Sequence, residues 1–157
     1  LLLFVGKFEP NKNLIELVTT FNNTDLSLLL VGNGPQEEIL KEIAAENIFF
    51  MPFQNQTMMP IIYRVGDALI MNSKSETWGL AMNEALASGI PIIASNKCGG
   101  AIDLINSKNG LFLKERINHV TINQWLAEFN KSEIIEEDNI GIHTYQKTIN
   151  SILEYLQ

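Results

Sequence analysis

The stretch Glu76-Thr77-Trp78-Gly79-Leu80-Ala81-Met82-Asn83-Glu84 holds two carboxylates eight positions apart, with a glycine between them. The apolar segment Ala68–Met71 precedes this stretch, and an Ala-rich helix over residues 80–88 is predicted to start inside it. A strand, a tight turn and a helix N-terminus bring backbone N–H groups together at a point that favours an anion. The stretch therefore predicts a strand–turn–helix unit of an α/β fold, with an anion site at the turn.

Short apolar segments alternate with helical patterns along the rest of the chain. The predicted strands are residues 1–5, 26–31, 48–51, 67–71, 91–95 and 110–113. The predicted helices are residues 13–21, a helix opened by Pro35, residues 57–65, 80–88 and 101–105, and C-terminal helices from about residue 120. Apolar strands that alternate with helices indicate a parallel sheet covered on both faces. We therefore predict a Rossmann-like, doubly wound α/β domain of about six strands over residues 1–157, with its ligand beyond the C-terminal strand ends.

The composition is that of one ordinary globular domain. The chain has 157 residues, of which 46% are hydrophobic and 18% are charged, and its net charge is −7. A nucleic-acid partner is not expected, because phosphate backbones select basic surfaces. Cys98 has no second cysteine to pair with, which fits the predicted cytoplasmic location. Because the chain enters a strand at once without Met, we expect a piece of a longer protein; a processed terminus is the alternative.

Two lysines occur in the first strand-to-helix loop. Lys7 follows the first predicted strand, and Lys12 lies at the predicted start of a helix, where a cation opposes the macrodipole. An anion nearby would remove that cost, so the two lysines and the helix N-terminus could hold a diphosphate. Two solvated surface lysines are the alternative.

The two carboxylates of the opening stretch have a similar pair of interpretations. Glu76 precedes the predicted helix, where an acid is favourable, and Glu84 falls within an Ala-rich apolar segment, where an unpaired carboxylate is costly. Glu84 therefore needs a partner, either a ligand hydroxyl or a donor from the protein. Acids beside an anion site fit a ligand that carries hydroxyls next to phosphates, as a nucleotide sugar does. A solvated helix face is the alternative.

Other candidate motifs are weaker. The second loop, Gly32-Asn33-Gly34-Pro35, permits close backbone approach but lacks the lysine of a P-loop and does not fit G-x-G-x-x-G. His119 and His143 have no metal-ligand spacing, so no metal site is predicted.

Four blocks of the chain occur in a recognisable order and spacing. They are residues 4–13 (FVGKFEPNKN), 29–35 (LLVGNGP), 76–94 (ETWGLAMNEALASGIPIIA, an E-x7-E motif) and 99–110 (GGAIDLINSKNG). Over roughly residues 1–113 the chain resembles the C-terminal domain of a family 4 (glycosyl transferases group 1) glycosyltransferase, a retaining enzyme of the GT-B fold.

The resemblance implies a domain that binds a nucleotide-sugar donor, UDP- or GDP-linked, without a metal or another cofactor. Lys7 and Lys12 would neutralise the diphosphate. Glu76 would contact the sugar, and Glu84 would accept hydrogen bonds from the ribose. The implied catalytic residues are Lys7, Lys12 and Glu76; the implied donor-binding residues are Gly6, Gly32, Asn33, Gly34, Phe53, Thr77, Trp78, Gly79, Leu80 and Glu84.

The resemblance also implies an N-terminal, acceptor-binding GT-B domain preceding Leu1. Any contact with the inner face of the membrane would be made by that domain. Without that domain, the isolated chain would lack useful transferase activity. The chain departs from the family pattern at four positions. Lys7 stands where Arg is usual, which replaces a planar fork with a point charge. Trp78 stands for Phe, Ile102 for Pro and Asp103 for Glu.

Three alternatives remain at this stage. One is a GT-B relative with different chemistry, such as a nucleotide-sugar epimerase or a phosphorylase. Another is a nucleotide-sugar-binding module without catalysis, or a degenerate half in which Lys7 marks lost function. The third is a flavodoxin-like signalling domain, which would need an acidic cluster at the strand ends that the sequence does not show.

Overall fold

The computed structural model describes residues 1–114 and 116–129. The strands of this part are β1 Leu2–Val5, β2 Leu28–Val31, β3 Ile48–Met51, β4 Ala68–Met71, β5 Ile92–Ser95 and β6 Gly110–Leu113. The α-helices are α1 Leu14–Phe21, α2 Glu37–Ile43, α3 Met59–Val65, α4 Leu80–Ala87, α5 Gly99–Leu104 and α6 His119–Glu128, and a 3₁₀ turn covers Pro10–Lys12. None of the described helices is long and apolar enough to cross a membrane.

The six strands form one parallel sheet in the order β3-β2-β1-β4-β5-β6. β1 is central, with Phe4 opposite Leu30 of β2 on one side and Leu3 opposite Leu69 of β4 on the other. The chain winds outward in one direction from β1 to β3 and in the other from β4 to β6. The predicted doubly wound fold is confirmed, and its topological switch point lies between β1 and β4.

Helices cover both faces of the sheet. In β2, Leu28 and Leu30 pack in the layer that contains α1, α2 and α6, whereas Leu29 and Val31 pack in the layer that contains α3, α4 and α5. Each buried leucine contributes roughly 1.5–3 kcal/mol relative to an exposed one. Because β2, β4 and β5 are buried on both faces, these strands are apolar at successive positions rather than alternating.

The predicted element boundaries hold to within about two residues, with physical reasons for the shifts. The helix after β2 does not start at Pro35: residues 34–37 form a turn in which Glu37 N donates to Gly34 O at 3.0 Å. Residue 26 is not in β2, because its carbonyl accepts a hydrogen bond from the Asn47 side chain at 2.8 Å. The helix predicted at residues 101–105 begins earlier, at Gly99. The last predicted helices, beyond residue 129, and His143 lie outside the described residues.

Candidate functional site: the loops after β1 and β4

The loops that leave β1 and β4 meet at the switch point of the sheet. The backbone N of Lys74, after β4, donates to the carbonyl of Asn11, after β1, at 2.8 Å. The Asn11 side chain donates in return to the carbonyl of Ser75 at 3.4 Å. Residues far apart in sequence are thereby held together where doubly wound sheets bind their ligands.

Lys12 and Glu76 form an ion pair across these two loops. The Lys12 Nζ donates to Glu76 Oε2, although the residues are 64 positions apart in sequence. The two side chains are only 15% and 17% exposed. Burial of two charges is costly unless each satisfies the other, so the pair holds both groups at this point. The structure thus brings together two of the three predicted catalytic residues.

The backbone of Glu76 is held by the loop between β5 and α5. Glu76 N donates to Lys97 O at 3.0 Å, and Glu76 O accepts from Gly99 N at 2.8 Å. A Cβ on Gly99 would lie 2.2 Å from the carbonyl oxygen of Thr77. Glycine at position 99 therefore lets the two loops approach closely enough for these backbone hydrogen bonds to hold the Glu76 main chain in place.

The turn before α4 presents a helix N-terminus beside this ion pair. Gly79 has a φ of 85° and precedes Leu80, the first residue of α4. Trp78 is partly buried, with its Nε1 donating to Asn83 Oδ1 at 2.7 Å, whereas Thr77 and Leu80 are exposed. The first N–H groups of a helix have no partner within the helix, so the turn has the donors that an anion requires.

Glu84, on α4, corrects one sequence-based expectation. Its Ala-rich surroundings predicted a carboxylate in an apolar environment, but Glu84 is exposed because α4 presents this position to solvent. Its Oε2 accepts a hydrogen bond from the Tyr63 hydroxyl of α3 at 2.6 Å. The protein itself thus supplies one donor to Glu84.

Tyr63 is a residue that the sequence analysis missed. Its side chain is 1% exposed, and burial, together with the hydrogen bond to Glu84, raises the pKa of its hydroxyl well above the usual value. Tyr63 therefore stays a hydrogen-bond donor at all ordinary pH values. A tyrosine on the buried face of a predicted helix was the available signal, because a buried tyrosine hydroxyl usually finds a partner.

A pocket of about 320 Å³ opens next to this pair. Its lining residues come from α3 and α4 and from the segment before α3: Gln56, Met59, Pro60, Tyr63, Arg64, Glu84, Ala87 and Ser88.

The first two loops pack closely on each other. Phe8 N donates to Asn33 O at 2.8 Å, and Gln36 N donates to Phe8 O at 3.0 Å. A Cβ on Gly32 would lie 1.9 Å from the carbonyl oxygen of Gly6. Gly32 and Gly34 therefore permit the close backbone approach that the sequence predicted, and the backbone that they approach is the first loop of this protein.

The other predicted site residues remain open to solvent. Lys7 is exposed and forms no ion pair with another described residue. Asn33 is exposed at the second loop, and Phe53, after β3, is 71% exposed. These three side chains are therefore accessible from solvent.

A family model described as glycosyl transferases group 1 matches residues 1–153 of this chain. The chain belongs to this family. The resemblance predicted from the four sequence blocks is thereby confirmed.

This group 1 glycosyltransferase chain resembles several proteins over part of their length. It is 34% identical over 111 residues to a GDP-mannose-dependent alpha-mannosyltransferase of Corynebacterium glutamicum, an alignment that covers 70% of this chain and 26% of that protein. It is 31% identical over 128 residues to a D-inositol 3-phosphate glycosyltransferase of Rhodococcus jostii, covering 70% of this chain and 28% of that protein. The aligned region is thus little more than a quarter of each relative.

Solved structures show the same fold. The Anabaena protein HepE, crystallised with UDP and glucose, superposes with a TM-score of 0.79 at 20% identity, covering 99% of this chain and 47% of that one. Sucrose-phosphate synthase of Thermosynechococcus elongatus superposes with a TM-score of 0.80 at 21% identity, covering 99% and 45%. The group 1 glycosyltransferase chain therefore has the Rossmann-like α/β architecture of GT-B glycosyltransferases, and it spans less than half of these two structures.

Glu16, in the first turn of α1, is a third carboxylate near the site of this glycosyltransferase chain, and the sequence analysis missed it. It accepts hydrogen bonds from Arg116 Nε, from Asn13 and, at 3.2 Å, from the buried Asn72 at the end of β4. The hydrogen bond from Arg116 lowers the pKa of Glu16 most, against a smaller opposing effect of burial, and the two amides lower it further. Glu16 thus ties α1 to the end of β4 and to the segment before α6.

We expect Glu16→Gln to lower the free energy of unfolding at neutral pH by about 1 kcal/mol or less, since the Arg116 contact is exposed and screened. A carboxyl whose folded-state pKa is depressed stabilises the fold fully above its ordinary value of 4.5, and this stability is lost as the pH falls through the lowered pKa. The difference between variant and wild type should therefore shrink in acid. Urea unfolding at neutral and acidic pH measures it.

The exposed Glu46, in the turn between α2 and β3, offers a matched control, because Glu46→Gln removes a carboxylate that lies outside any helix of the described residues. Glu46→Gln should leave stability unchanged at both pH values. A Glu16→Gln deficit that persists unchanged in acid would show that the charge of Glu16 is not what stabilises the fold.

Proposed function

We propose that this chain is the donor-binding domain of a retaining family 4 glycosyltransferase. In this proposal it binds a nucleoside-diphosphate sugar, UDP- or GDP-linked, and the sugar passes to an acceptor held by an N-terminal GT-B domain. The observation that carries the proposal is the Lys12–Glu76 ion pair, which is mostly buried where the loops after β1 and β4 meet. A cation and a carboxylate at the switch point provide complementary groups for a phosphate and a sugar hydroxyl.

The relatives support this ligand class. HepE was crystallised with UDP and glucose, and the Corynebacterium glutamicum relative is named as dependent on GDP-mannose. Both names contain a nucleoside diphosphate and a hexose. This chain spans less than half of each of these two relatives, and the proposed acceptor-binding domain accounts for part of the difference.

Each group of the site has a separate task in the proposed reaction. Lys12, and Lys7 from the exposed first loop, neutralise the charge that develops on the departing diphosphate, an electrostatic contribution that needs no metal ion. The N-terminus of α4 at Gly79 and Leu80 holds the phosphate or sugar hydroxyls through backbone N–H groups. Glu76 accepts a hydrogen bond from the sugar, so neither glutamate is required as a nucleophile.

The nucleoside occupies the other end of the proposed site. Glu84 is exposed on α4 and accepts hydrogen bonds from the ribose hydroxyls. The backbone near Phe53, after β3, meets the base. The glycine-rich second loop, with Asn33 at its tip, borders the diphosphate. We place the protein in the cytoplasm, with any contact to the membrane made by the N-terminal domain.

Isothermal calorimetry of the chain with UDP and GDP, in buffer containing EDTA, tests the proposal. We expect saturable binding of at least one of the two, weaker than in a protein that also carries the acceptor domain. Inorganic phosphate and the free nucleoside serve as control ligands and should bind much more weakly. If no nucleoside diphosphate binds at millimolar concentration, the donor site is wrongly assigned.

A further inference from the structure

We propose that Tyr63 is a positioning residue for Glu84, and that through this contact it sets the preference of the site for ribonucleotides over deoxyribonucleotides. The inference rests on the proposed function, since it concerns the carboxylate assigned to the ribose. The carrying observation is the hydrogen bond of 2.6 Å from the Tyr63 hydroxyl to Glu84 Oε2.

Glu84 needs such a partner because of its location. Its side chain is exposed on α4, and the terminal torsion of a glutamate is broad. A free glutamate on a helix surface therefore points its two oxygens in many directions. The hydrogen bond from Tyr63 restrains Oε2 and thereby restricts the plane of the carboxylate.

Tyr63 is suited to this task because it does not move with the ligand. Its ring is 1% exposed and packs in the core layer that contains α3, α4 and α5. Burial also keeps its hydroxyl protonated, since the pKa is raised. The donor is thus anchored in the core, while its acceptor is exposed.

The restrained carboxylate keeps capacity for a ligand. Each carboxylate oxygen has about two lone pairs, so Tyr63 occupies one of roughly four acceptor positions. The remaining positions suit the two adjacent hydroxyls of a ribose, which can be held together only when the plane of the carboxylate is set. Tyr63 and Glu84 both line the pocket of about 320 Å³ between α3 and α4, so a ligand can approach the pair.

The test compares a ribonucleoside diphosphate with its 2′-deoxy and 3′-deoxy counterparts by calorimetry, using the whole chain and its Tyr63→Phe variant. Wild type should prefer the ribonucleotide. Tyr63→Phe keeps the buried ring and should weaken ribonucleotide binding about five- to tenfold, the range of a single net hydrogen bond. Binding of the deoxynucleotides should change less than twofold. If the role of Tyr63 were only structural, Tyr63→Phe would weaken the binding of all three nucleotides equally. Such an equal loss of affinity, or a ribonucleotide preference unchanged from wild type, would overturn the inference.

Glu84→Asp is a second variant that leaves Tyr63 and its packing intact. The shorter side chain moves the carboxylate away from the Tyr63 hydroxyl by the length of one methylene group. Because position 84 is exposed, the variant should still fold. Glu84→Asp should lose the preference for the ribonucleotide over its deoxy counterparts, as Tyr63→Phe does. A preference equal to that of wild type would count against the inference. Lys41→Met is the matched control, because it removes a hydrogen bond to a carboxylate, Glu37, on the surface of α2. It should leave all three affinities unchanged.

The outcomes separate the two proposals. If wild type binds none of the nucleotides, the proposed function fails, and this inference fails with it. If wild type binds ribonucleotide and deoxynucleotide equally, the donor site stands, but the assignment of Glu84 to the ribose and the role of Tyr63 are both lost. If wild type prefers the ribonucleotide and Tyr63→Phe retains the full preference, only the role of Tyr63 is lost.

Discussion

Replacement of Lys12 by methionine should lower turnover about a hundred- to a thousandfold in the proposed full-length glycosyltransferase, in which this domain is joined to an acceptor-binding domain. This is the usual range for loss of one electrostatic donor to a transition state. In the isolated chain the affinity for UDP or GDP should fall about ten- to a hundredfold, as for loss of a charge-assisted hydrogen bond. We expect this one substitution to affect both turnover and affinity because the ion pair with Glu76 holds Lys12 at the switch point. Steady-state kinetics and calorimetry measure the two quantities.

Two matched variants make the Lys12 result specific. Lys41→Met removes the same charge from an exposed ion pair on α2 and should change neither turnover nor affinity. Lys7→Met removes a lysine that has no ion-pair partner among the described residues, so its effect should be smaller than that of Lys12→Met. Lys12→Met also leaves Glu76 mostly buried and unpaired, which should lower the melting temperature. Affinities are therefore compared well below it. Turnover within twofold of wild type would refute the role of Lys12.

Replacement of Glu76 by glutamine should have opposite effects on two measurements. Turnover should fall about a hundredfold or more, because the charged acceptor for the donor sugar is lost. The affinity for free UDP or GDP should instead rise about three- to tenfold. In the unliganded protein the charge of Lys12 is engaged by Glu76. With glutamine at position 76, a diphosphate no longer competes with a carboxylate for that lysine, and it meets less repulsion.

Glu37→Gln is the control for this second variant. It makes the same change in net charge at Glu37, the partly exposed partner of Lys41, and should alter neither turnover nor affinity. If Glu76→Gln weakens binding of the free diphosphate together with turnover, then Glu76 is not a competitor for Lys12, and the ion pair is not the resting form of the site. Unchanged turnover would instead remove Glu76 from the donor-sugar contact.

The strand–turn–helix unit at the start of the site could be predicted almost to the residue. β4 ends at Met71, and α4 starts at Leu80, as the apolar and Ala-rich segments indicate. The start of α4 is locally encoded because Gly79 adopts a φ of 85°, which favours glycine over other residues. The start of α2 could not be predicted as well. Pro35 is a common first helical residue, but a turn from Gly34 to Glu37 delays the helix.

The pairings within the site could not be predicted from local pattern. Lys12 and Glu76 are 64 positions apart, and they meet only because β1 and β4 are neighbours in the sheet. Glu84 was expected in an apolar environment from its sequence neighbours. A helix, however, turns about 100° per residue, so alanines adjacent in sequence need not lie beside Glu84 in space. Its partner Tyr63 is on another helix, which no spacing along α4 can reveal.

The amino-acid sequence by itself therefore determined the alternation of buried strands and helices, the glycine positions at the strand ends and the chemical types present in the loops. These features depend on interactions between residues close in the chain and on which residues avoid water. The tertiary structure alone decided that Lys12 is neutralised by Glu76 and that Glu84 is exposed and held by Tyr63. Partners of charged and hydroxyl groups are set by the order of the strands and the packing of the helices, because a hydrogen bond requires two atoms to lie about 3 Å apart.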